Sequence, residues 1–330
     1  MIKNIFKSKV FLMILISAFV LSGCGTGGNA DTPAKETPGA VTAGSLAEEY
    51  LAEMSDAGAR VAATDQEVAA GEWIIKTLKD MGYEATLEPF TYEDEDGVSH
   101  DSNNIIVEKA GNTDKTIIIG AHYDSMTDGD GVDDNASGIA VMLEAAKVLK
   151  DAETPQTLKF IFFGAEEAGL MGSTYYAAQM SPEDISNTLL MINFDSLVAG
   201  DNAHVYGNGD ADGKYRDRVL EIASEKGLEL VTQPGENKEY PAGTTGDWSD
   251  HAPFKEAGIP YIYFESTNWT LGEKDGYTQV DVALGDNGEI WHTEFDTMEY
   301  IEANFPGRIS ERLATFAEAT ETLLQEDLAI

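Results

Sequence analysis

Two histidines and a scatter of carboxylates mark the places where this sequence could do chemistry. The densest stretch is AHYDSMTDGDGVDDNASG, residues 121–138, which puts five aspartates between Asp124 and Asp134, just behind His122. Clustered like charges repel, so such a stretch calls for a compensating cation. Farther on, Glu166 and Glu167 adjoin in FGAEEAG, Asp195 stands in NFDS, and His292 lies in WHTEFDT. Neighbouring glutamates on a turn diverge, so Glu166 and Glu167 can serve different roles. Two imidazoles with several carboxylates and no thiol suit zinc, manganese or cobalt in an open catalytic site. A calcium loop fails on spacing: no DxDxDG run with a glutamate at its twelfth position can be aligned here.

Something must bring these groups together, and the apolar runs say what. KTIIIGAHYDS predicts a strand over 115–119, TLKFIFFGAEE one over 157–163, NTLLMINFDS one over 187–194 and GIPYIYFEST one over 258–264. Helical spacing covers 46–54, 65–82, 137–151 and 169–180. A closing helix is expected from Tyr300 to Leu328, opened where Asp296 and Glu299 have capping-box spacing. Continuous apolar strands separated by helices predict a single α/β domain, a mostly parallel central sheet with helices on both faces. Ligands of such sheets collect at the carboxyl ends of the strands. GAHYDS, GAEE and NFDS each follow a strand, so three strand ends deliver His, Glu and Asp to one edge.

In this order, GAHYDS, DDNASG, FGAEEAGLMGS, NFDS and HTEFDT resemble the motifs of the co-catalytic zinc aminopeptidases, peptidase family M28. SDHAPF, residues 249–254, is similar to a further Ser-Asp-His segment of that family, and the resemblance runs over roughly residues 45–325. It implies a zinc-exopeptidase-like fold and two zinc ions per chain, with cobalt or manganese as substitutes. Asp134 would bridge the two metals, His122 and Asp195 would complete one, and Glu167 and His292 the other. Glu166 would be the general base, taking a proton from a shared water and passing it to the leaving amine. Asp124 would hold the His122 imidazole, and a cis peptide would join Asp134 and Asn135. Some family members carry an oxyanion-assisting tyrosine before the last histidine; here that position is Trp291.

The remaining polar residues take quieter roles. Ser249 and Asp250 are read as wall or cap, His251 beside them is left out of the site, and Asp296 is read as a helix cap. Asp128, Asp130 and Asp133 are expected at a solvated rim, with His100 and His204 on the surface. Substrate entry is assigned to the loops around 197–215 and 266–290.

The amino terminus is a different matter. Lys3, Lys7 and Lys9 precede an apolar run from Val10 to Val20 and then LSGC, ending at Cys24. This pattern describes an export signal whose apolar run is short for a membrane span. It resembles the bacterial lipoprotein signal, which implies removal of residues 1–23 and a lipid on Cys24. Cys24 is the only cysteine, so no disulfide framework is expected. Residues 24–44 read as a flexible tether and 45–330 as the peptidase-like domain. The net charge of −38 deepens without the signal, to 18 basic against 59 acidic residues, or −41. That surface argues against nucleic acid or anionic lipid as a partner, so the lipid would be the one membrane contact.

The expected protein is a monomeric dizinc aminopeptidase, lipid-anchored on the extracytoplasmic side and acting on peptides with a free amino terminus. Three other readings stay open: a single-zinc glutaminyl cyclase, a carboxypeptidase-type relative, and a non-catalytic peptide-binding lipoprotein.

Overall fold

In the strand Thr116–His122, Ile117 and Ile119 pack to one side of the sheet and Ile118 to the other, none with exposed surface. A strand buried on both faces needs a helical layer on each. Both layers are present in the computed structural model, which describes residues 42–209 and 213–329. The expected signal and Cys24 lie outside the described residues.

Among the described residues eight strands form one sheet: β1 (Thr86–Glu93), β2 (Ser99–Lys109), β3 (Thr116–His122), β4 (Thr157–Phe163), β5 (Thr188–Phe194), β6 (Asn202–Gly207), β7 (Leu230–Val231) and β8 (Tyr261–Thr267). Their order is β1-β2-β4-β3-β5-β8-β6-β7. The central four, β4, β3, β5 and β8, run parallel. β2 and β6 flank them antiparallel. The four strands read from apolar runs are these central four. β1 and β2 escaped that reading because these outer strands carry polar residues on a half-exposed face, as in SHDSNNIIVEK, whereas β6 is buried almost throughout but short, and mixes Asn202, His204 and Tyr206 with its apolar residues.

The helices are α1 (Ser45–Ser55), α2 (Asp65–Asp80), α3 (Ser137–Leu149), α4 (Met171–Gln179), α5 (Pro182–Asn187), α6 (Lys214–Lys226), α7 (His251–Glu256), α8 (Met298–Asn304) and α9 (Arg308–Leu324). α1, α3 and α9 pack together over the face that holds Ile117 and Ile119. On the other face, Tyr176 of α4 and Phe254 of α7 cover Ile118, Phe163 and Met191. The single closing helix expected over 300–328 is two helices. Pro306 cannot continue α8, and Gly307 turns the chain at φ 81° before α9. Thr297, not Asp296, caps α8, accepting the Tyr300 N–H at 3.2 Å.

Strand register decides where the chemistry sits. His122 pairs with Phe163, and Gly120 with Asn193, so the carboxyl ends of β3, β4 and β5 finish level. β3 lies between β4 and β5, where the strand order reverses, and such a reversal opens a crevice.

Candidate metal centre

Each chemical group arrives from a different strand end or loop. His122 is the last residue of β3; Asp195 follows β5 by one residue and Glu166 follows β4 by three. After β3 the chain returns through an irregular turn, Val132–Ala136, that carries Asp134 inward and contains the cis peptide Asp134–Asn135. Gly138 then lets α3 start against β5: a Cβ there would stand 2.9 Å from the Phe194 carbonyl oxygen. His292 enters from the loop before α8. His292, Ala165 and Ser196 all have left-handed backbone, at φ 57°, 54° and 54°, a conformation that concentrates at functional sites.

The six residues singled out in the sequence come together here. Asp134 places Oδ1 3.2 Å from His122 Nε2 and Oδ2 3.0 Å from His292 Nε2. His122 Nε2 also lies 3.5 Å from Asp195 Oδ1 and 4.0 Å from Glu166 Oε2. Glu167 Oε2 stands 3.1 Å from His292 Nε2. Two groups of possible ligands result, His122–Glu166–Asp195 and Asp134–Glu167–His292, each with its donor atoms within 4.8 Å of one another.

The chemistry of this donor set fits metal. His122 Nε2, Asp134 Oδ1 and Glu167 Oε1 are buried without a hydrogen-bond partner. Such orphaned groups are costly, and divalent cations held by the two groups would satisfy all three. Nitrogen and oxygen donors without sulfur suit zinc at a catalytic site. Charges in the cluster are strained accordingly. Burial, reinforced by Glu167, Asp250 and Asp195 against the opposing His122, pushes the Glu166 carboxyl well above its ordinary range. Burial and the Asp134 charge push Glu167 up to about 7. Burial works against a charged His292, but Asp134 and Glu167 outweigh it and raise the imidazole to about 11.

Asp124 holds the centre together differently from expectation. His122 Nδ1 meets the Asp124 backbone carbonyl at 3.2 Å, while the carboxylate stays 3.6 Å away. A carbonyl can only accept, so Nδ1 carries the proton and Nε2 turns its lone pair to the cluster. The Asp124 carboxylate instead accepts the backbone N–H of Glu166 at 3.0 Å and of Glu167 at 3.1 Å. Ser249 Oγ donates to Asp195 Oδ2 at 2.7 Å and accepts from Asn193 Nδ2 at 2.7 Å.

Several assignments need correction. Asp133 is fully buried rather than solvated, and Asp296 reaches back to the backbone of Asp133 and Asp134 instead of capping a helix. His204 is buried against Tyr206. His251, never a candidate ligand, stacks on Tyr263 at 4.9 Å, donates to the Gly246 carbonyl, and lies outside the cluster. Arg60 carried no sequence signal, yet it is fully buried and donates to the carbonyls of Tyr123, Asp130 and Gly131 at 2.8–2.9 Å.

A cavity of about 340 Å³ opens beside the cluster, walled by Trp248, Tyr263, Tyr277 and Trp291 with Asp247 and Glu265. Gly276 and Tyr277 come from the expected 266–290 loop. None of the described residues of 197–215 lines the cavity; Asp247 and Trp248 take that place.

The profile of peptidase family M28 matches residues 104–317. Alkaline phosphatase isozyme conversion protein of Escherichia coli K12 is 35% identical over 282 residues, covering 77% of this chain and 81% of that protein. Aminopeptidase YwaD of Bacillus subtilis is 33% identical over 190 residues, which cover 56% of this chain but 36% of that longer protein. Two solved structures share the fold. A zinc aminopeptidase from Bacillus subtilis superposes with a TM-score of 0.69 at 18% identity, over 87% of this chain and 96% of its own. Porphyromonas gingivalis glutaminyl cyclase superposes with a TM-score of 0.65 at 21% identity, over 86% and 98%. One scaffold thus carries two activities.

Proposed function

This chain belongs to peptidase family M28, and on that premise we propose that it is a two-zinc aminopeptidase, removing residues from the free amino termini of peptides. The observation that carries the reading is the division of Asp134, one carboxylate oxygen to each histidine. A carboxylate so placed is suited to bridge two cations. His122 and Asp195 would complete one site, Glu167 and His292 the other. When bound, zinc would polarise the scissile carbonyl and bring the pKa of a water toward neutrality.

The chain's own groups do the rest. Glu166 lies within reach of His122 and Asp195, but once Asp134 is shared between the two proposed sites it is left free of both, and it is held by its backbone to Asp124. Burial keeps its carboxylate basic, which suits it to take the proton of the attacking water and pass it to the departing amine. The aromatic walls receive the first side chain of the peptide and exclude water around it. We place the domain at 45–330, as a monomer tethered by residues 24–44 to a lipid on Cys24, outside the cytoplasmic membrane. A Cys24→Ala variant should then leave the membrane fraction.

The full chain assayed on aminoacyl-p-nitroanilides and their N-acetylated counterparts tests the activity. Cleavage of the free substrates alone, lost on chelation and regained with about two zinc ions per chain, is expected. Silence on every substrate with one bound zinc would point to the cyclase. Silence with none bound would leave a binding protein.

A further inference from the structure

Glu265 is the odd residue of β8. In a strand that reads YIYFEST it carries a carboxylate that is 1% exposed and lines the cavity beside the metal cluster. Tyr206 donates to its Oε2 at 2.7 Å and Tyr263 to its Oε1 at 3.1 Å. Trp269 Nε1 donates in turn to the Tyr206 hydroxyl at 2.7 Å. These bonds aim the carboxylate but do not compensate its charge. Among the described residues it makes no ion pair, and burial, with the like charges of Asp195 and Asp133, raises its carboxyl to about 8 against the two tyrosine donors, so near neutral pH an arriving cation would take the place of a proton. A carboxylate can accept about four hydrogen bonds, so two positions stay open. A buried carboxylate without a cation is costly, and a ligand that supplies the cation offsets that cost.

We propose that the cavity takes the side chain of the substrate's first residue and that Glu265 selects a basic one, lysine or arginine, by pairing with its head group. The proposal rests on the aminopeptidase reading above. The walls suit such a side chain. Trp248, Tyr277 and Trp291 form a connected aromatic surface, with ring centroids 5.4 and 6.2 Å apart along the row. Aromatic faces cover an aliphatic stem and attract a cation at its end. The other acids of the cavity are already engaged. Lys255 pairs with Asp247 at 2.5 Å, and Asp134, Glu166, Glu167 and Asp195 face the metal cluster. Glu265 is the one left for the substrate.

Lysyl- and norleucyl-p-nitroanilide separate this proposal from the activity itself. Both present the same α-amine and nearly the same stem, and they differ in the terminal ammonium. The wild-type chain should favour the lysyl substrate by roughly 10- to 100-fold in kcat/KM, as a charge-assisted buried pair allows, with the arginyl substrate alongside. Glu265→Gln should bring the lysyl-to-norleucyl ratio close to one. Equal kcat/KM for the two substrates in the wild type overturns the proposal and leaves the aminopeptidase intact. So does a folded Glu265→Gln variant that keeps the ratio. Calorimetric binding of lysine amide and norleucine amide to Glu166→Gln asks the same question without turnover. Tighter lysine amide supports the selection even where no substrate is cut, and norleucine amide of equal affinity overturns it. If neither amide binds and no substrate is cleaved, the selection and the aminopeptidase fall together.

Discussion

Asp133 and Asp134 adjoin in the chain and turn their carboxylates opposite ways. Asp134 divides its oxygens between His122 and His292. Asp133 faces into the protein, where Oδ1 accepts the N–H groups of Val198 at 2.6 Å and Ala199 at 2.8 Å, and Oδ2 accepts Gln279 Nε2 at 2.6 Å. Behind them, Asp296 accepts the N–H of Asp133 at 2.6 Å and of Asp134 at 3.1 Å. The turn that carries Asp134 is therefore fixed by protein hydrogen bonds on both sides.

Asp133→Asn should expose how much that fixing matters. The asparagine oxygen can keep the two backbone donors, but its amide would then meet Gln279 donor to donor. Gln279 cannot simply flip, because its Oε1 accepts the N–H groups of Ile290 and Trp291 at 2.8 and 3.0 Å. A loss of about 1–3 kcal/mol is expected in urea unfolding, with weaker zinc binding, since Trp291 adjoins His292. Unchanged unfolding would place the Gln279 contact among the dispensable ones.

Glu166→Gln should separate chemistry from metal binding. The substitution preserves shape and removes the proton acceptor, so kcat should fall by about 10²- to 10⁴-fold while zinc content stays near that of the wild type. Near-normal turnover in a zinc-loaded variant would remove Glu166 from the role of base.

Asp124→Asn tests positioning at a distance from the chemistry. Its two oxygens accept the Glu166 and Glu167 N–H groups separately, and asparagine offers one acceptor for two donors. The His122 bond to the backbone carbonyl survives. A 10- to 100-fold loss of zinc affinity or activity is expected, roughly the effect of losing an outer partner of a ligand. Competition against a chelator of known affinity would read it.

The centre was legible in the sequence where acids and histidine stand directly after apolar runs, at His122, Glu166–Glu167 and Asp195. There the strand dictates the position of the next residue, and level strand ends do the gathering. The reading failed where burial depends on partners far along the chain. Asp133 looks like a solvated acid and Asp296 like a helix cap because their N–H partners, at 198–199 and 133–134, belong to other elements. Arg60 and Glu265 are silent for the same reason. The split between α8 and α9 was a different failure: Pro306–Gly307 announced it, and the surrounding helical periodicity masked it.

His204 gives a pH dependence unconnected with the metal centre. Burial is the main cause of a pKa lowered from 6.5 to about 4, against a hydrogen bond to the Asn202 carbonyl. The folded imidazole stays neutral where the unfolded one takes a proton. The stability it contributes is therefore complete above pH 6.5 and is lost as pH falls toward 4, by up to roughly 2–3 kcal/mol. Unfolding followed across that window should show the loss, and His204→Gln should flatten it. An equal slope in the variant would assign acid sensitivity to other groups.

Removing the metal should destabilise the protein more at high pH than at low. With no cation present, protons are what neutralise the cluster. Glu167, raised by burial from 4.5 to about 7, and His292, raised by Asp134 and Glu167 from 6.5 to about 11, both bind protons more tightly folded than unfolded. For each the folded state holds the extra proton, so the chelated protein loses stability as pH rises, between about 4.5 and 7 through Glu167 and from 6.5 to about 11 through His292. Zinc replaces those protons, and its binding strengthens as they leave. At 100-fold excess over its Kd a single ion contributes about 2.7 kcal/mol, or roughly 5–10 °C of Tm in a domain of this size. The Tm difference between zinc-loaded and chelated protein should therefore widen steadily from about pH 6 to about pH 9. A difference that stays constant over that range would mean that the folded cluster holds no extra protons, and that something other than charge keeps these carboxylates together.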